Sequence, residues 1–137
     1  MTKKELSQLR HLKYEVRELM DRIKELESSA TGCAARIDDL PKSRELTDKV
    51  GNYAIQIAEL RKELDTKLYQ LYREYVRLSR YIANVKDSQM RVILALRYIK
   101  GFTWQKIAYT IGEHDEQYPR KKHNAFLENT TEFGVEK

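Results

Sequence analysis

With 137 residues, the chain is long enough for one modest globular domain, or for a small domain carrying an extended arm. Charged residues make up 34% of it, against five glycines and two prolines, which argues against a compact sheet protein and for long solvated helices. Cys33 is the single cysteine, which excludes an intrachain disulfide, and the net charge of +5 admits a nucleic-acid partner without establishing one.

That charge is unevenly spread. Residues 1–40 balance eight basic against eight acidic side chains. Residues 41–86 carry ten against six, residues 87–127 seven against four with His114 and His123 in reserve, and residues 128–137 one against three. The chain opens on charged residues rather than an apolar leader, and no apolar run approaches the length of a membrane span. The expectation is a soluble protein that stays in the cytoplasm where it is made, with no membrane contact.

The first predicted helix covers about residues 3–28. Leu9, Leu12, Val16, Leu19, Ile23 and Leu26 step by threes and fours, an a/d heptad seam with Lys13, Arg17, Glu18, Arg22 and Lys24 outside it. The stretch Ser28-Ser-Ala-Thr-Gly32 is expected to end it. Residues 31–43 show no period, and Pro41 forbids helix at the residue before it.

A second helix of roughly 60 Å is predicted over about 44–85. Leu46, Val50, Tyr53, Ile57, Leu60 and Leu64 continue the seam, and Leu68, Leu71, Tyr75, Leu78, Ile82 and Val85 follow. The two successive steps of four at Leu60, Leu64 and Leu68 predict a stutter in the supercoil. So long a helix needs a partner, either the first helix folded back on it or a second copy of the chain. Tyr69, Tyr72, Tyr75 and Tyr81 suit a packing surface better than a stacking platform for bases.

Asp87 or Ser88 can cap a third helix from Met90 to about Lys100, with Gly101 in the left-handed position after it. Thr103 then caps a short fourth helix, Trp104 to Ile111, and Gly112 follows. This is the grammar of a helix-turn-helix: Ala108 is small enough for a close crossing, and Gly112 allows the turn its positive φ. Ile107 and Ile111 are the expected buried residues, with Phe102 and Trp104 as plugs against the third helix.

The segment Arg-Val-Ile-Leu-Ala-Leu-Arg-Tyr-Ile-Lys-Gly-Phe-Thr-Trp-Gln-Lys-Ile-Ala, residues 91–108, resembles region 4 of bacterial sigma factors. More closely, it resembles small phage and prophage proteins that join a long helical N-terminal part to a sigma-region-4-like helix-turn-helix. Residues 122–127, Lys-His-Asn-Ala-Phe-Leu, resemble the end of that family's recognition helix. The resemblance implies a transcriptional regulator acting on double-stranded DNA in the bacterial host cell, with RNA polymerase as a further partner. Between Gly112 and His123 the chain is one residue longer than the family pattern, and Pro119 falls near a position that is normally β-branched. The recognition helix is therefore expected to start at Tyr118 or Pro119, after an enlarged turn over 113–117, and to run for about nine residues.

On this reading Arg120, Lys121 and Asn124 face a major groove, where Arg suits guanine and Asn suits adenine. Thr103, Gln105, Lys106 and Lys122 are placed for phosphates. His11, His114 and His123 are far apart, and no cysteine or carboxylate spacing forms a metal site, a nucleophile or a cofactor loop. The expectation is no enzyme and no cofactor.

The resulting plan is all-α. Residues 1–86 form a long helical coiled-coil hairpin or arm, expected to drive self-association. Residues 87–127 form a small three-helix helix-turn-helix domain, and residues 128–137 a flexible acidic tail. A DNA-packaging recognition subunit of the small terminase kind, or a protein-interaction module without DNA binding, would share this layout.

Overall fold

A computed structural model of the chain describes the backbone of residues 1–39 and 44–134 and the side-chain surroundings of residues 1–32 and 48–130. Cys33 and the break expected at Pro41 lie outside the described residues. Helices α1 (Lys3–Leu6), α2 (Gln8–Asp39), α3 (Arg44–Ala83), α4 (Ser88–Leu94), α5 (Trp104–Ile111) and α6 (Gln117–Gly134) follow one another, with a π-helical turn over Ala95–Ile99. No strand occurs among the described residues, so the fold is all-α.

The chain divides into two compact units, residues 13–70 and residues 1–12 with 71–137. In the first, the two long helices form an antiparallel hairpin within one chain. Lys67 Nζ meets Glu15 Oε2 at 2.8 Å, and the Arg61 guanidinium meets the Glu27 carboxylate. Val16, Leu19 and Ile23 of α2 are buried, while Tyr53, Ile57, Leu60 and Leu64 of α3 are half-buried. Of the two partners open to the long helix, this is the fold-back.

Helix α2 runs eleven residues past its expected end. Ser28 to Gly32 only weaken a helix, at about 1 kcal/mol for an interior glycine, and Thr31 Oγ1 is satisfied by the Glu27 carbonyl at 2.8 Å. Near its start, Ser7 interrupts the first helix. Its hydroxyl donates to the Lys3 carbonyl at 2.8 Å, closing α1, whose own start is a capping box between Thr2 and Glu5.

The expected stutter in α3 does not occur. Leu68 is 42% exposed and Tyr75 47% exposed, while Lys67 and Glu74 are half-buried. The seam thus reads Leu60, Leu64, Lys67, Leu71, Glu74, Leu78, an unbroken alternation of fours and threes. The aliphatic stems of Lys67 and Glu74 can lie along the seam while their charged ends reach Glu15 and Arg77. Of the four tyrosines expected to form a packing surface, Tyr81 packs against the core, while Tyr69 and Tyr72 are 63% and 66% exposed.

The second unit holds the deeper core. Leu6, Leu9, Leu78, Ile82, Val85, Met90, Ile93, Leu94, Leu96, Tyr98 and Ile107 form one buried cluster, with Phe102, Trp104, Phe126 and Leu127 packed at its edge. Asp87 caps α4 by accepting from the Gln89 N–H at 3.1 Å. Arg91 Nη1 donates to the carbonyls of Val85 and Lys86, tying down the turn from α3. Gly101 stands at φ +74°, where the Lys100 to Thr103 link needs the left-handed region. The tail expected from residue 128 is instead a continuation of α6 as far as Gly134.

Candidate nucleic-acid interface

Thr103 starts α5 as expected, its hydroxyl accepting from the Lys106 N–H at 3.3 Å. Ile107 and Ala108 are buried on the inner face, which leaves Gln105, Lys106 and Tyr109 outside. At the far end Gly112 takes φ +83°, and the Glu113 N–H returns to the Ala108 carbonyl at 2.8 Å. The helix therefore stops sharply, because only glycine enters this region without a Cβ clash.

Asp115 closes the turn. Its carboxylate accepts from the Gln117 N–H at 2.9 Å, and its carbonyl accepts from the Tyr118 N–H at 3.2 Å. Helix α6 therefore begins at Gln117, one or two residues earlier than expected, and spans 18 residues rather than the short recognition helix predicted. Pro119 sits within its first turn, where no intrahelical hydrogen bond is lost, and its ring is fully buried.

With Pro119 and His123 buried and Phe126 and Leu127 half-buried, the inner face of α6 is fixed. At 100° per residue Lys121 points most directly away from the core, Asn124 lies beside it, and Arg120 flanks α5. All three are exposed. Thr103, Trp104, Gln105, Glu116, Gln117 and Arg120 line one groove of about 250 Å³. The structure thus brings Thr103 and Gln105 together with Arg120.

Lys106 is held differently, its ammonium 3.9 Å from the centroid of the Phe102 ring. That is a cation–π arrangement that leaves the residue exposed.

Lys122 does not join this set. Its ammonium is 2.8 Å from Asp87 Oδ2 and also donates to Gln89, so it clamps α6 to the start of α4. Tyr118 Oη donates to the same side-chain oxygen, Gln89 Oε1, at 3.0 Å. The Lys122 hydrogen bond holds the Asp87 carboxyl below its usual range, against the opposing effect of burial. A phosphate would have to compete with that carboxylate.

His123 is no reserve charge. It is fully buried, with its ring centroid 4.9 Å from that of Trp104, and burial holds its pKa below the usual value, with Lys3 and Arg97 adding to the effect. Tyr98 Oη and His123 Nε2 share a buried hydrogen bond, while Nδ1 lies 3.1 Å from Asn124 Oδ1. Burial pushes the Tyr98 hydroxyl up to about 12.

Two cationic residues escaped sequence reasoning. Arg97 lies 4.5 Å from the centroid of the Trp104 ring and donates to the Phe102 carbonyl at 3.0 Å. Burial lowers its pKa, and the positive charges of Arg10 and Arg120 push the same way. Arg10, from the first turn of α2, therefore contributes to the same electrostatic surroundings as Arg120. Its spacing from residue 120 hides this from any local pattern.

Glu113, His114, Asp115 and Glu116 line a groove of about 640 Å³ with Lys106 and Tyr109. These carboxylates make the turn an anionic edge beside the cationic surface. Among the described residues no cluster of three His, Cys, Asp or Glu side chains could hold a metal ion, and no helix is long and apolar enough to cross a membrane. Comparison with protein families, with characterised proteins and with solved structures finds no match for this chain.

Proposed function

We propose that this protein is a DNA-binding transcriptional regulator of the phage or prophage kind, with α5 and α6 as a sigma-region-4-like helix-turn-helix and no catalytic role. One observation carries the reading. Gln105, Lys106, Arg120, Lys121 and Asn124 are all exposed on two helices joined through Gly112, outside the residues that anchor those helices to the core. Cations and amides suit phosphate oxygens and base edges, and a helix of α6's length can enter a major groove. The carboxylates of the turn bound the footprint, directing a polyanion toward Arg120 and Lys121.

RNA polymerase contact and self-association through the hairpin belong to the same proposal. The hairpin already closes its seam within the chain, so pairing of copies would use residues outside that seam. Sedimentation at increasing concentration tests it, and a strict monomer removes self-association.

The DNA reading is tested by titrating labelled duplex DNA at several salt concentrations. Wild-type affinity should fall steeply with salt, and Lys106→Gln and Lys121→Gln should each flatten the slope of log K against log salt by about one unit. Lys122→Gln should leave the slope nearly unchanged and lower the melting temperature instead, since its charge is spent on Asp87. Absence of any salt-sensitive DNA affinity would overturn the reading.

A further inference from the structure

We propose that His123 is a positioning residue for DNA recognition: it holds the Asn124 carboxamide with its oxygen turned toward the core and its NH2 group outward, so that Asn124 selects a base presenting an acceptor. This deepens the DNA-binding reading and rests on it. The chemistry starts from the buried ring. Trp104 of α5 packs against it, and the charged or titratable groups that act on it are Lys3 from α1 and Arg97 and Tyr98 from the π-helical turn. Two nearby cations and full burial favour a neutral imidazole, which has one N–H to give.

The position of that proton follows from the partners. Nδ1 faces an amide oxygen, which can only accept, so the N–H resides on Nδ1 and donates to Asn124 Oδ1. Nε2 is then an acceptor and takes the Tyr98 hydroxyl proton. Tyr98, His123 and Asn124 form a directed chain of hydrogen bonds running from the core to the exposed face of α6. A free asparagine can turn its amide to match adenine, accepting from N6 and donating to N7. Asn124 has its oxygen engaged, and the branch left outward carries two donors. Guanine, with N7 and O6, and thymine, with O4, fit that pattern.

The experiment is a binding-site selection from a random duplex library, using the full chain below the melting temperature of every variant. Wild type should enrich guanine or thymine at one position, by roughly five- to tenfold, the lower end for a base contact. Asn124→Ala should abolish that preference alone. His123→Phe keeps an aromatic ring against Trp104 but lacks both hydrogen bonds; it should lose preference at the same position, with an unchanged salt slope, and the double variant should lose nothing more. Asn124→Asp leaves the core intact and presents only acceptors, so it should switch that position toward cytosine, and it decides the matter if His123→Phe does not fold. A wild-type protein that enriches no sequence overturns the DNA reading and this assignment together. Wild-type preference for adenine at the Asn124-dependent position, a folded His123→Phe that keeps the preference, or an Asn124→Asp without a switch overturns the assignment alone.

Discussion

The two units of this chain are built from the same kinds of residue and hold together in different ways. In residues 13–70 a single row of apolar side chains on each helix meets one partner, and the α3 side of that row stays half-buried. In the unit made of residues 1–12 and 71–137, several helices converge on Ile93, Leu94 and Ile107, each with no exposed surface. Two helices can bury only one stripe apiece, whereas a cluster of short helices surrounds its central residues on all sides. Energy per apolar residue should therefore be smaller in the hairpin and larger in the C-terminal unit.

The largest expected effect tests that difference directly. Ile107→Ala removes a fully enclosed side chain and should cost about 2–5 kcal/mol, whereas Leu60→Ala, from a half-buried seam, should cost about 1–2 kcal/mol. Chemical denaturation of both variants measures the gap. Equal losses would mean that the hairpin is packed as tightly as the core.

Next in size is the clamp between α4 and α6. Asp87 both caps α4 and receives Lys122, so Asp87→Ala should lower the melting temperature by roughly 2–6 °C. Lys122→Gln should lower it less, since the cap remains. A variant at Asp87 that melts like wild type would show that the Asp87 cap and ion pair add nothing to the apolar packing and the Gln89 hydrogen bonds that also join α4 and α6.

A pH titration sharpens the comparison, because among the described residues the buried histidine lies in only one of the units. His123 has a folded pKa below its ordinary 6.5, with burial as the main cause and the Asn124 hydrogen bond opposing it. The unfolded chain therefore takes up a proton before the folded one does. Stability is full above about pH 6.5 and declines as pH falls through the folded value, by at most about 1.4 kcal/mol per pH unit for one group. His123→Phe should remove this part of the acid dependence. An identical pH profile in the variant would assign the effect to other groups.

How much of this was legible in the sequence follows the same division. Local signals suffice where the deciding contact is local: Thr103 capping α5, Asp87 capping α4, Gly101 and Gly112 at positive φ, and Val16, Leu19 and Ile23 on the buried stripe of α2. Periodicity failed where a polar side chain takes a seam position, since Lys67 and Glu74 count as polar in any pattern yet lie half-buried along α3. Helix ends are poorly marked by small polar residues: nothing in Ser28 to Gly32 forbids helix, and α2 continues through them. The site was half legible. Gln105, Lys106, Arg120, Lys121 and Asn124 are exposed as expected, whereas the burial of His123 and the capture of Lys122 depend on Tyr98, Trp104 and Asp87, residues that only the fold brings near.

The smallest expected effect concerns what holds the hairpin in register. Arg61 and Glu27 pair across α2 and α3 with side chains 61% and 46% exposed. At that exposure water screens the attraction, and two long side chains lose rotamer freedom to hold one geometry, so the net gain is about 0–0.5 kcal/mol. Arg61→Ala should barely move the unfolding midpoint, and the small shift should vanish in 1 M salt, where the screening length falls to about 3 Å. The apolar row beneath, by contrast, should be unaffected or strengthened by salt. An Arg61→Ala loss exceeding that of Leu60→Ala, and abolished by salt, would mean that charge rather than apolar burial holds the two helices together. The hairpin would then differ from the C-terminal unit in the nature of its cohesion as well as its depth.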